Sequence, residues 1–375
     1  MPNPLQSISD LLAEIRCQYD VLPASGGATA DEAHPDTDER EEAIVAAGET
    51  IYDKIGESGS GERIPELYYP CEPLTREEDH LFRYFVDGSF RSYFLGTLVA
   101  PQWDSPVTFG QVGACVLHRL DDGTVERALL RTKMVLVIAE RSESLRQELE
   151  RRCAEFGVII EDILEPDQLN IQTNLGDLRE KAGGKVRWQM HLLEAQVIEE
   201  MLPHLSSDCW LIADGSLRFQ PFQNKLAQEE EIAPVIGVAK SFRRDVRFQY
   251  GRGPRASNLT LYNLLSELQC AHRTVAFATP DHKVVFWYVR LREQKHLEYP
   301  LMGVIKAEMI NPTGTAVPTE LINRLSRALV AERNVTPHGR DRRWHAHLYP
   351  ISLAETAVKE SFLSLEVVRA ALLWR

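Results

Sequence analysis

Two segments of the 375-residue chain share one arrangement: Phe85-Val86-Asp87-Gly88-Ser89-Phe90 and Ile212-Ala213-Asp214-Gly215-Ser216-Leu217. In each, an apolar run delivers an aspartate at its polar end. The glycine that follows lets the backbone turn without a side-chain clash. Two carboxylates at the rim of a sheet repel each other and invite a divalent cation. Asp-Gly is also the commonest hairpin signal, so each tripeptide taken singly favours a turn, and its recurrence after two apolar runs brings the site reading level with that. A third carboxylate, Glu194, stands 20 residues before Asp214 in the helical pattern VRWQMHLLEAQVIEE. Arg187, His191 and Glu194 share one face of that helix. Glu199 and Glu200 compete for the same role, and an exposed helix carboxylate is the plainer reading.

A fourth element is Pro234-Val235-Ile236-Gly237-Val238-Ala239-Lys240-Ser241, an apolar strand that ends in a lysine. Arg243, Arg244, Arg247, Arg252 and Arg255 follow, with Asp245 as the one acid among them. Phe248 and Tyr250 are interleaved. Clustered cations fit phosphate contact and the aromatics fit base stacking, whereas a solvated basic loop is the alternative. His345 and His347 alternate in Trp344-His345-Ala346-His347. In a strand both would face one way, as a metal pair or, on the preferred reading, as two hydrogen-bonded histidines. The Gly-x-Gly at Gly251 lacks the helix-opening context of a nucleotide fingerprint, and neither a Walker A nor a G-x-S-x-G sequence occurs.

The elements that position these residues follow from periodicity. Between Leu81 and Glu140 successive runs rich in Val, Phe, Tyr and Leu, punctuated by Gly, Pro and Asp-Asp-Gly, predict an antiparallel meander. Helices are expected over 142–157, 185–203, 259–270 and 318–333, with a long terminal helix over 352–373. CWLIADGSL reads as a buried strand and HAHLYPI as a short extended piece. The order predicts an α+β fold with a mixed sheet. Ile8, Leu11, Leu12 and Ile15 predict a helix over 7–20, and a second helix is expected over 40–56. Residues 23–42 carry almost no large apolar side chain and read as a linker. The expected division is a helical N-terminal extension with an acidic linker over 1–75 and the folded body over 76–375. The N-terminal stripe would dock on a partner or pack on its own body.

Composition sets the outer limits. Hydrophobic residues make up 44% and charged residues 26%, which excludes a wholly disordered chain. The net charge is -13, so any nucleic-acid contact must use a local basic patch. Six cysteines without a C-x-x-C pair exclude a zinc ribbon and argue against a disulfide framework. The longest apolar run, near Met134–Ala139, is far short of a membrane span. A cytoplasmic, soluble protein is expected.

The order VDGSF, a helix glutamate, ADGSL, VIGVAKS and a late LYPISLAE resembles the NurA nucleases over roughly residues 80–365. The resemblance implies an RNase H-like mixed sheet flanked by helices, and a manganese- or magnesium-dependent nuclease acting on DNA. It also implies a homodimer working with a hexameric HerA-type ATPase. It assigns Asp87, Glu194 and Asp214 as ligands of two metal ions, and Lys240 as a phosphate or charge-stabilising group. Lys240 and the five arginines from Arg243 to Arg255 would hold DNA. The family's further ligand on the terminal helix falls at Ala357 here, with Glu355 or His347 as substitutes. Without one, a catalytically inactive adaptor that dimerises and docks on the ATPase is the alternative.

Overall fold

The computed structural model describes residues 4–31, 51–52, 54–58, 66–74, 80–100, 103–138, 143–163, 175–227, 230–242, 246–250, 257–294, 299–333, 344–372 and 374. The core begins with helix α1 (Pro4–Gln18), followed by the long antiparallel strands β1 (Phe82–Ala100), β2 (Trp103–Arg119) and β3 (Val125–Ile138). Helix α2 (Glu143–Glu155) leads into β4 (Val158–Asp162), which lies parallel to β3. Helix α3 (Leu175–Met201) then carries the chain back across the sheet to β5 (Trp210–Asp214). Strand β5 is parallel to β1 on the flank opposite β2, and β6 (Val235–Ala239) is parallel to β5. Strands β7 (Val284–Arg290) and β8 (Val304–Ile310) extend the main path, which runs β4-β3-β2-β1-β5-β6-β8-β7 and continues to His272–Thr274 and Tyr68–Pro70. Helices α4 (Thr319–Ala331), α5 (Tyr349–Glu360) and α6 (Leu365–Ala371) end the chain. The fold is α+β with a large mixed sheet.

Side chains alternate across the sheet and separate two cores. Phe85, Cys115, Ile212 and Val238 face α4 and α5, where Leu325, Leu329, Ile351 and Ala354 pack against them. Val86, Val116, Leu211 and Ala213 face α3 and meet Val186, Leu193 and Val197. The strands β5 to β8 are buried nearly throughout, so they read as continuous apolar runs rather than alternating ones. Two charges interrupt β8, Lys306 and Glu308, both buried.

The N-terminal segment belongs to this body. Leu5, Ile8, Leu11, Leu12 and Ile15 are buried in one cluster with Leu95, Phe109, Leu136 and Val368. At about 1.5–3 kcal/mol for each large apolar side chain, that packing holds α1 in place without a partner. Asp20–Pro23 and Thr29–Asp31 add antiparallel to the far half of β1. Most of the helix expected over 40–56 lies outside the described residues. Its end is strand instead: Ile51–Tyr52 pairs with Arg247–Phe248 and Lys54–Ile55 with Phe277–Ala278.

The helix expected over 352–373 is two helices. The carbonyl of Leu363 accepts hydrogen bonds from Arg91, Tyr93 and Gln111, while its amide donates to Gln111. Ser364 then caps α6 by accepting from the Val367 amide. These side chains of β1 and β2 satisfy the groups that the break exposes. Residues 257–260 are strand, so the helix expected over 259–270 is confined to Leu261–Ser266. Trp344–Ala346 is a 3₁₀ turn and not an extended piece.

Candidate acidic site at the centre of the sheet

The two Asp-Gly-Ser tripeptides fold differently. Asp214 ends β5, and Gly215 has φ +86°, a left-handed conformation that glycine adopts without strain. Asp87 lies well inside the 19-residue strand β1, with Cys115 of β2 as its register partner, and no turn follows it. Gly88 serves another purpose. A Cβ built there would stand 2.6 Å from Oε1 of Glu194, so the carboxylate of α3 occupies the space a side chain would need.

Register brings the aspartates together. Val86 pairs with Ala213 in the parallel β1–β5 ladder, which sets Asp87 beside Asp214 on the face covered by α5. This is where the strand order reverses on either side of β1, the place where open α/β sheets bind ligands. Lys240 follows the last residue of β6, and its Nζ is 2.8 Å from Oδ2 of Asp214. Asp87 is only 5% exposed, and its Oδ2 is buried with no hydrogen-bond partner. Burial pushes the Asp87 carboxyl well above the ordinary range, and the charges of Asp214, Glu355 and Glu194 add to the rise against the pull of Lys240. Burial alone would lower Lys240, but the carboxylates of Asp214 and Asp87 hold it above its usual value.

Glu194 approaches β1 from the other side of the strand. It is 3% exposed, and its Oε2 lies 2.8 Å from Nδ1 of His191. Its charge raises Asp87 less than those of Asp214 and Glu355 do. Its competitors turn away: Glu199 pairs with Lys225, and Glu200 with Arg131 at 2.9 Å. From the α5 face comes Glu355. Burial opposes its ionisation, but a hydrogen bond from Lys359 and the charges of Lys359, Lys240 and His347 bring it below the usual value. His347 is buried beside this group, whereas Nδ1 of His345 accepts the Gly303 amide at 2.9 Å. Among the described residues, no three or more His, Cys, Asp or Glu form a group that could hold a metal ion.

The basic segment is described only in part. Arg243, Arg244, Arg252 and Arg255 lie outside the described residues, and Arg247 is exposed. Phe248 is fully buried against Phe277, Phe286 and Tyr288, so it is a core ring and not a base-stacking one.

Sequence reasoning missed the support beneath Asp214. Glu308, fully buried on β8, accepts from the Ser216 hydroxyl at 2.6 Å and the Leu217 amide at 3.0 Å. Lys306 Nζ lies 2.6 Å from its other oxygen and Arg218 Nε 3.4 Å away. Burial works against the charge, yet Lys306 and Arg218 hold the Glu308 carboxyl down at about 2. The signal was available: VIKAEMI places two opposite charges two residues apart in an otherwise apolar strand. A separate cleft of about 570 Å³, lined by Trp210, Pro234, Leu226 and Leu321, lies at the opposite ends of β5 and β6.

No helix among the described residues is long and apolar enough to cross a membrane. No protein-family model matches the chain, and no curated protein matches it.

Proposed function

We propose that the chain is a metal-dependent deoxyribonuclease of RNase H-like architecture, as its resemblance to the NurA family implies. The observation that carries the reading is the juxtaposition of Asp87 and Asp214 on neighbouring parallel strands, with Lys240 bonded to Asp214. A buried carboxylate pushed above its ordinary range by burial and by the charge of a second one beside it is a costly arrangement unless a cation relieves it. The helices on both faces of the mixed sheet support the fold reading.

The donor set fits a hard divalent cation: carboxylate oxygens are what manganese and magnesium prefer. The unpaired Oδ2 of Asp87 supplies an open acceptor. Asp87 and Asp214 would hold the ion, with Glu355 and Glu194 on either side. When bound, the metal would supply an activated water and neutralise phosphoryl charge. Lys240 would orient a phosphate oxygen and stabilise charge developing on it, while Asp214 holds the ammonium in place. His191 fixes the carboxylate of Glu194.

One observation favours the adaptor reading instead. Lys240 already compensates Asp214, and Glu194 is engaged by His191, so the three predicted ligands are not gathered for two ions. The decisive experiment combines a calorimetric manganese titration with a cleavage assay on linear DNA. The nuclease reading expects manganese binding and cleavage by the wild type, and loss of cleavage in Asp87→Asn. Wild-type protein that neither binds manganese nor cuts DNA would leave the adaptor. Association with a HerA-type ATPase and homodimer formation are further parts of the proposal, tested by co-elution and sedimentation.

A further inference from the structure

Residues 179–188 of α3 read Arg-Glu-Lys-Ala-Gly-Gly-Lys-Val-Arg-Trp. Ala182 and Val186 turn into the core, which leaves Lys181, Gly184 and Trp188 on the exposed side. Arg179, Lys181, Lys185 and Arg187 make four cations against Glu180 in a chain of net charge -13.

Two features of this stretch have no explanation within the fold. The first is the ring of Trp188, 45% exposed in the middle of a structured helix. It rests edge-on against Phe219, with centroids 4.5 Å apart. Phe219 in turn packs 5.6 Å from the ring of His191, the partner of Glu194. The exposed indole is therefore linked by ring contacts to the carboxylate that abuts Gly88. The second feature is the pair Gly183-Gly184. Glycine weakens a helix interior relative to alanine. A Cβ at either position would meet nothing within 4 Å among the described residues, so packing against those residues does not require glycine there. Glycine retained at such a cost is where another backbone comes close.

We propose that this face of α3 is a lane for single-stranded nucleic acid, with a base stacked on Trp188 and the sugar-phosphate backbone passing over Gly183-Gly184 between Lys181 and Lys185. The two lysines are about 6 Å apart along the helix axis. Aromatic platforms flanked by cations are how proteins hold single strands without reading sequence. Charge decides against an apolar protein partner, since Lys181 and Lys185 flank the indole, while Arg179 and Arg187 lie over the Phe94 and Phe90 rings of β1. The proposal rests on the nuclease reading, and gives its substrate a second hold on the sheet face opposite the aspartates.

The test measures anisotropy of a labelled oligothymidine with the full chain in EDTA, so that cleavage plays no part. Trp188→Ala should weaken binding roughly 5- to 100-fold, the range for loss of one stacked base, while Trp188→Phe retains most of the affinity. The double change Gly183→Ala plus Gly184→Ala should raise the thermal midpoint and yet weaken binding severalfold, a combination that a merely structural role does not produce. Wild-type affinity in both Trp188→Ala and the glycine variant would overturn the lane. If the wild type still cuts DNA with manganese in that case, the nuclease reading stands and the lane alone falls. If the wild type neither binds nor cuts, both fall. A loss of self-association in Trp188→Ala with unchanged oligonucleotide affinity would mark a protein interface and also overturn it.

Discussion

Replacing Glu308 by Gln isolates the charge that anchors the turn after Asp214. The side chain keeps its shape, but Lys306 and Arg218 are left buried beside a neutral group. The carboxyl titrates at about 2 in the folded chain against an ordinary value of 4.5. That difference corresponds to about 3 kcal/mol of stability at pH 7. Loss of one partner from a buried ion pair costs a similar amount, about 3–5 kcal/mol. The sign follows from the lowered value. The contribution is fully present above the unfolded value of 4.5 and is lost as pH falls toward 2. Urea unfolding at pH 7 should therefore show Glu308→Gln destabilised by about 3 kcal/mol, and at pH 3 the gap should shrink to roughly half. A double replacement, Lys306→Met with Glu308→Gln, should cost less than Glu308→Gln alone, because no Lys306 charge is left facing a neutral group while the amide oxygen at 308 still accepts from Ser216 and Leu217. The reasoning fails if Glu308→Gln is within about 0.5 kcal/mol of wild type at pH 7, the range of an ordinary surface change. It fails equally if the gap is the same at pH 7 and pH 3.

Asp87 should behave in the opposite sense. Its folded value is raised by burial and by Asp214, so its ionisation opposes folding increasingly as pH climbs above the ordinary 3.8. Asp87→Asn should raise the thermal midpoint at pH 7, and the gain should shrink toward pH 4; circular dichroism melts at the two pH values check this. Gly88→Ala places a Cβ 2.6 Å from Glu194 Oε1 and should destabilise by about 1–3 kcal/mol. Pairing it with Glu194→Ala should restore much of the loss in the same denaturation assay.

The meander, the helix bearing Glu194 and the buried strands bearing Asp214 and Lys240 were legible because each has a clear period or a sharp polar end. Asp87, Asp214 and Lys240 stood out singly for the same reason, since each closes an apolar run in the sequence; their grouping was implied only by the family resemblance. What the sequence could not reveal is register. Nothing local says that Val86 pairs with Ala213, or that Leu363 will surrender its carbonyl to Arg91, Tyr93 and Gln111 and so divide the terminal helix. The basic stretch misled in one respect. Phe248 alternates with Arg247 and Gln249 as in any half-buried strand, and its ring went to the core.

The identical Asp-Gly-Ser tripeptides carry this further. Both follow apolar runs, so local chemistry treats them alike. At 214 the strand ends, the glycine turns and Glu308 fixes the turn from below. At 87 the β2 ladder continues without interruption on one flank, which holds Asp87 and Gly88 extended. On the other flank β5 ends its pairing at Val86, and the next described partner of β1 begins at Ser92. Residues 87–91 thus form a stretch of central strand without a partner on that edge among the described residues, with Asp87 at its start and Glu194 pressed against the following glycine. A long strand that outlasts its neighbour creates this stretch. The length of β1, and not the Asp-Gly pair itself, is what keeps Asp87 in a strand beside Asp214 rather than in a turn.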